Sequence, residues 1–102
     1  MATVYRIERP DDGIGPYNHI GEELSDRLAS AHAWDLERHP AIGLDLDYRM
    51  EPGDRCGFAN MRQLFSWFGG WLPILLRNGY RIVVYRDAYV MAQSDHQLVF
   101  QP

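Results

Sequence analysis

Tyr80-Arg81-Ile82-Val83-Val84-Tyr85, then Tyr89-Val90-Met91-Ala92, then Gln97-Leu98-Val99-Phe100 close the chain as three runs of β-branched and aromatic residues. Such residues fit the pleated, half-buried surface of a sheet. Ser94-Asp95-His96 separates the last two runs as a turn, so the C-terminal third predicts a short antiparallel meander. A further strand opens the chain. Thr3-Val4-Tyr5-Arg6-Ile7-Glu8 places Val4 and Arg6 on one face and Tyr5 and Ile7 on the other, until Pro10 stops it. Pro10-Asp11-Asp12-Gly13-Ile14-Gly15-Pro16 is dense in turn formers and predicts a long surface loop.

The middle of the chain changes period. From Glu22 to about Arg38, Leu24, Leu28 and Ala31 recur at helical spacing behind Ile20, and Glu22, Glu23 and Asp26 stand early, where the helix dipole favours anions. Pro40 bounds that helix. Asn60 and Gln63 have capping-box spacing, and Met61, Leu64, Phe65 and Phe68 follow at i, i+3, i+4 and i+7, which predicts one apolar helix face. Gly69-Gly70 ends that helix, and Pro73 serves as the first residue of a shorter one whose C′ position is Gly79. Ala41 to Arg55 has no sustained period and reads as a loop with room for a short strand over Leu44 to Tyr48. The fold class is α+β: a small, mainly antiparallel sheet with two to three helices.

A length of 102 residues suffices for one hydrophobic core and is too short for two, so residues 1–102 are expected to form a single domain. The hydrophobic fraction of 46%, with three Trp, six Tyr and four Phe, predicts a folded core. Cys56 is the only cysteine, which excludes an internal disulfide and fits a reducing compartment. Met1 to Arg9 has no signal-peptide run and Trp71 to Leu76 is too short to span a bilayer, so no membrane association and a cytoplasmic location are expected. A formal net charge of −4 makes direct nucleic-acid binding unfavourable.

His19, His32, His39 and His96 show no metal-ligand spacing, and surface or capping roles are expected for them, with no metal and no resident cofactor. Asp45, Asp47, Glu51 and Asp54 gather acid in one loop, partly neutralised by Arg49 and Arg55 and without calcium-loop spacing. That loop reads as solvated, or as an acidic patch for a partner. Gly13-Ile14-Gly15-Pro16 lacks the lysine of a phosphate cradle. Cys56 reads as a buried thiol rather than a nucleophile. Trp67 lies off the Met61-Leu64-Phe65-Phe68 face and Trp71 follows a Gly pair, so a partly exposed indole is expected there, packed under a loop or anchoring an interface.

Tyr5-Arg6 on the first strand, Gly57-Phe58-Ala59-Asn60 opening a helix, and Asp95-His96-Gln97-Leu98-Val99-Phe100 at the end together resemble a reduced ADP-ribosyltransferase. The resemblance implies a ligand pocket for NAD built on Arg6, Asn60 and Gln97, with Asp95 close by. Arg6 matches the family's first position, Asn60 stands approximately at its Ser/Thr position, and Gln97 stands where its catalytic Glu belongs. A neutral Gln supplies no negative charge to an oxocarbenium-like transition state, so no catalytic residue is assigned. Asp95, two residues before Gln97, does not simply substitute for that Glu, since it would occupy the preceding same-face position of a strand. The layout and small size also resemble phage and prophage proteins of anti-defence, anti-CRISPR-like type. The expected function is a non-catalytic module that binds a host protein or complex through Trp67, Trp71, Asp45, Asp47, Glu51 and Asp54. The alternatives are a minimal ADP-ribosyltransferase-like or NAD-binding protein, and a toxin-antitoxin or oligomer component.

Overall fold

In the computed structural model, which describes residues 1–19 and 21–102, the chain runs β1 (Ala2–Glu8), α1 (Glu23–Ala33), α2 (Ile42–Asp45), β2 (Arg55–Gly57), α3 (Met61–Phe68), α4 (Trp71–Arg77), β3 (Arg81–Gln93) and β4 (Leu98–Gln101). The strands form one antiparallel sheet in the order β1-β3-β4-β2, so the fold is α+β. The two runs expected as separate strands over residues 80–92 are one strand, because β3 serves two partners in succession. Its first half pairs with β1, with Tyr5 opposite Val84 and Ile7 opposite Ile82, and its second half pairs with β4, with Val90 opposite Phe100. Asp87, at φ 58, lies between the halves, and a short acidic side chain tolerates that left-handed conformation.

The sheet curls until its outer strands meet. Tyr5 N–H donates to the Phe58 carbonyl at 2.9 Å and Phe58 N–H donates back to the Tyr5 carbonyl at 2.8 Å, so β1 is bonded to β3 on one side and to the end of β2 on the other. Gly57 permits this approach. A Cβ there would lie 2.6 Å from Val4 Cγ1 and 3.0 Å from the Tyr5 carbonyl oxygen. Val4, Ala88, Leu98 and Phe100 fill the inside of the curl. A larger cluster of Ile7, Leu28, Phe58, Leu64, Trp67, Phe68, Leu72, Leu75 and Tyr80 lies between the sheet and the helices.

The helices depart from their sequence patterns in specific ways. α1 stops at Ala33, short of the expected Arg38, and Ile20, placed behind its apolar positions, lies outside the described residues. In α3 the Asn60 side chain accepts from Gln63 N–H at 2.9 Å and the Gln63 side chain accepts from Ala59 N–H at 3.0 Å, a reciprocal cap. Leu64 and Phe68 are buried as the period predicts, but Phe65 is 50% exposed and Trp67 only 9%. The buried stripe is rotated toward Trp67 because its indole N–H has a partner inside, Tyr17 Oη at 2.6 Å, which makes burying the larger ring favourable. In α4 Pro73 is the third residue rather than the first, and Gly79, at φ 91, follows its end as predicted. The expected short strand over Leu44 to Tyr48 is absent: Ile42–Asp45 is a helical turn. Among the described residues, no helix is long and apolar enough to cross a membrane.

Candidate functional site

A cavity of about 410 Å³ opens between the β1–β2 seam, the loop after β1, the C-terminal half of α1 and the segment leading into α2. Its walls are largely aromatic. Tyr17, His32, His39, Phe58 and Trp67 line it, together with Arg6, Cys56 and Gln97. The curl of the sheet brings Arg6 and Cys56 to one wall, since β1 and β2 carry them to the seam.

Arg6 is anchored rather than loose. Its Nε donates to Glu8 Oε1 at 3.0 Å, Nη1 to the Cys56 carbonyl at 2.7 Å and Nη2 to the Gly13 carbonyl at 3.2 Å. Three of the five guanidinium N–H groups are thus engaged, one within β1 and two tying β1 to β2 and to the Gly13–Gly15 turn, which keeps Arg6 on the cavity wall with donors left over. Cys56 is half-buried beside it; burial pushes its thiol up, against the pull of the Arg6 charge, so the thiol form that disfavours nucleophilic attack is favoured.

Gln97 closes the other side. Its Nε2 donates to the Pro40 carbonyl at 2.7 Å and to Asp45 Oδ2 at 3.1 Å. Asp45 also accepts from Ser94 Oγ at 2.6 Å and faces His96 Nδ1 at 3.4 Å. Against burial, which works to raise it, these partners hold the Asp45 carboxyl below its ordinary value. With both amide protons used, Gln97 has only Oε1 left to offer.

The aromatic wall is a connected network. Trp67 Nε1–H donates to Tyr17 Oη, which is hydrogen-bonded to His32 Nδ1. The His32 ring stacks on His39 with centroids 3.7 Å apart. His39 faces the Asp35 carbonyl through Nδ1 at 3.1 Å and the Trp67 carbonyl through Nε2 at 2.6 Å. Burial, and then the neighbouring His39, push His32 down to about 4, so its imidazole is neutral at pH 7. Burial likewise pushes the Tyr17 phenol far up, despite the Trp67 hydrogen bond.

These positions revise the expected surface roles of the histidines. His19 and His32 are buried, His19 between Tyr80 Oη at 2.5 Å and Asp12 Oδ2 at 2.9 Å, and His39 is half-buried in the stack. Their spacing gives no helical or metal pattern because the chain turns sharply after α1, and nothing local in the sequence signals that His32 and His39 meet. No group of three or more metal-ligating side chains occurs among the described residues.

Of the four ligand-pocket residues expected from sequence, the fold brings Arg6 and Gln97 to the cavity and leaves Asn60 and Asp95 outside it. Asn60 caps α3. Asp95 sits in the β3–β4 turn, as Ser94-Asp95-His96 reads in sequence, with its carbonyl accepting from Gln63 Nε2 at 3.0 Å; β4 begins only at Leu98. The expected interface residues are dispersed. Trp67 is in the core and Trp71 is half-buried under Arg27, whose guanidinium carbon lies 5.8 Å from the ring centroid. Asp45 is held as described, and Asp54 accepts from Tyr48, Gln101 and the Glu51 N–H. Asp47 and Glu51 remain exposed. The most exposed indole is Trp34, at 89%.

Over residues 1–102 the chain matches the family model described as Bacteriophage T4 Y00F protein. No curated protein and no solved structure matches it.

Proposed function

The chain belongs to the bacteriophage T4 Y00F protein family, and from that premise we propose that it is a phage protein that binds a small NAD-type ligand in the aromatic cavity without turning it over. The observation that carries this reading is that Arg6 and Gln97, from opposite ends of the chain, line one cavity. Its volume of about 410 Å³ falls in the range of small-molecule pockets, roughly 300–1,000 Å³, and its apolar walls with a few convergent polar groups have the usual composition of one. Aromatic faces suit a flat heteroaromatic ring, and the N–H groups that Arg6 has to spare suit a ribose oxygen. Gln97, neutral and donating to Asp45 and Pro40, supports binding rather than glycosidic cleavage, which needs negative charge opposite the developing cation.

Calorimetric titration with NAD, ADP-ribose and nicotinamide tests the proposal, alongside an Ala29→Trp variant. Ala29 is an exposed α1 residue on the cavity wall, so the larger ring should block the cavity while the helix still forms. Binding by the parent, loss in Ala29→Trp and no nicotinamide release are expected. Equal binding by both proteins, or none by either, would sink the assignment.

A second reading, a docking surface for a host protein complex of the anti-defence kind, is favoured by Trp34 and by Leu44, 88% exposed on α2. Exposed aromatic and aliphatic side chains are the residues that anchor interfaces. Capture from host lysate that is retained by Ala29→Trp and lost in a Trp34→Ala, Leu44→Ser variant would establish this reading in place of the first.

A further inference from the structure

The hydrogen-bond network behind the cavity fixes which proton His32 carries. An indole N–H can only donate, so Trp67 Nε1–H occupies a lone pair of Tyr17 Oη. The phenol then has one proton to place, and His32 Nδ1 is the partner it meets. Nδ1 is therefore an acceptor, and the neutral ring bears its hydrogen on Nε2. That nitrogen has no hydrogen-bond partner among the described residues, yet no buried side-chain nitrogen or oxygen among them lacks one. Nε2 consequently stays open, and His32, otherwise 7% exposed, opens on the cavity it lines. The same reasoning leaves Gln97 Oε1 open as an acceptor, since Nε2 of that residue is committed to Pro40 and Asp45.

We propose that His32 is the specificity-determining donor of this cavity, set as its Nε2–H tautomer by Trp67 and Tyr17, and that with the acceptor Gln97 it selects an uncharged aromatic carboxamide over the matching carboxylate. An amide carries a carbonyl for His32 and an N–H for Gln97. A carboxylate has lone pairs only, and one of its oxygens would face the lone pairs of Gln97 Oε1. Arg6 and Arg55 do not reverse the preference, because Glu8 lies 3.0 Å from the first and 3.9 Å from the second, and Asp54 adds a second carboxylate to the same wall. This inference rests on the small-ligand reading of the cavity and adds the chemistry of what enters it.

Nicotinamide and nicotinic acid are the probes, titrated into the 15N-labelled protein and followed by amide and imidazole NMR. Nicotinamide is expected to bind at least about tenfold more tightly than nicotinic acid, as the loss of a paired buried hydrogen bond implies. His32→Phe should abolish that ratio by weakening nicotinamide alone. Tyr17→Phe should reduce it partway, and the His32 ring nitrogens, which in the parent report hydrogen on Nε2, should then report a mixture of tautomers. Binding of both probes without discrimination, or a nicotinamide affinity unchanged in His32→Phe, overturns the selectivity and leaves the cavity reading standing. No binding of either probe overturns the selectivity, and the cavity reading falls with it only if NAD and ADP-ribose also fail to bind. A parent ring with hydrogen on Nδ1 overturns the tautomer argument whatever binds.

Discussion

Phe65 and Trp67 stand about 200° apart around the α3 axis, and their energetic weights should be as opposed as their directions. Phe65 is half in water and belongs to neither core cluster, so Phe65→Ala should lower stability by less than ~1 kcal/mol. Trp67 packs on Phe58 and His39 and donates its indole N–H to Tyr17; Trp67→Ala should remove ~3–5 kcal/mol. Urea unfolding of the two variants measures both, and a larger loss for Phe65→Ala would show that the helix faces the other way. The 3.6-residue period makes the helix itself legible, but Met61, Leu64, Phe65, Trp67 and Phe68 give it more apolar positions than one face can bury. Which of them wins depends on Tyr17, a residue far away in sequence.

His32 offers a second test at the same scale. Its folded pKa of about 4 lies below the ordinary 6.5, so the native state favours the neutral ring. The stability this contributes is complete above pH 6.5 and is lost as pH falls through about 4. Over that window the parent should lose up to ~3 kcal/mol more than a His32→Phe variant, whose absolute stability is lower because Tyr17 has no acceptor. The readout is the difference in slope of unfolding free energy against pH, and parallel slopes would show that His32 titrates alike in both states.

At the scale of elements, the Gln97–Asp45 contact joins the start of β4 to α2 and so sets one rim of the cavity. Gln97→Glu restores the residue that an ADP-ribosyltransferase would carry, yet here it would place a second carboxylate against Asp45 Oδ2, with no proton for the Pro40 carbonyl. Two carboxylates at that distance cannot both ionise cheaply. The variant should therefore be ~1–3 kcal/mol less stable than the parent at pH 7, with the deficit narrowing toward pH 5 as the pair takes up a proton, and it should release no nicotinamide from NAD. Turnover by Gln97→Glu would show that only the missing charge separates this chain from catalysis. The acidic segment around Asp45 reads as solvated in sequence because each carboxylate, taken alone, is a surface residue. Its burial is decided by Ser94, His96 and Gln97, which a local window does not contain. Likewise the β-branched runs at residues 80–92 reveal strand but not continuity, since the intervening Asp87 takes a conformation usually left to glycine at turns.

For the whole molecule the decisive contact is the one that turns an open sheet into a curl. β1 and β2 are joined by two backbone hydrogen bonds between Tyr5 and Phe58, at 2.9 and 2.8 Å, and the seam carries Arg6, Cys56 and Phe58 to the cavity. Gly57 sits where the strands press closest, and the atoms a Cβ would meet include the Tyr5 backbone oxygen at 3.0 Å as well as Val4 and the Phe100 ring. A side-chain end can turn aside; a backbone oxygen engaged in the closing bond moves only if the seam widens. Gly57→Ala should accordingly lower stability by ~1–3 kcal/mol, the range for overpacking. Its particular mark should be local. Hydrogen exchange at the Tyr5 and Phe58 amides should quicken far more than at Val90 and Val99, which β3–β4 and β2–β4 pairing hold, because opening the seam leaves those ladders intact. Ligand affinity should fall with it, since one cavity wall rides on the seam. If Gly57→Ala unfolds at the parent's midpoint with both seam amides still protected, the sheet accommodates a methyl group there, and the curl does not depend on that glycine.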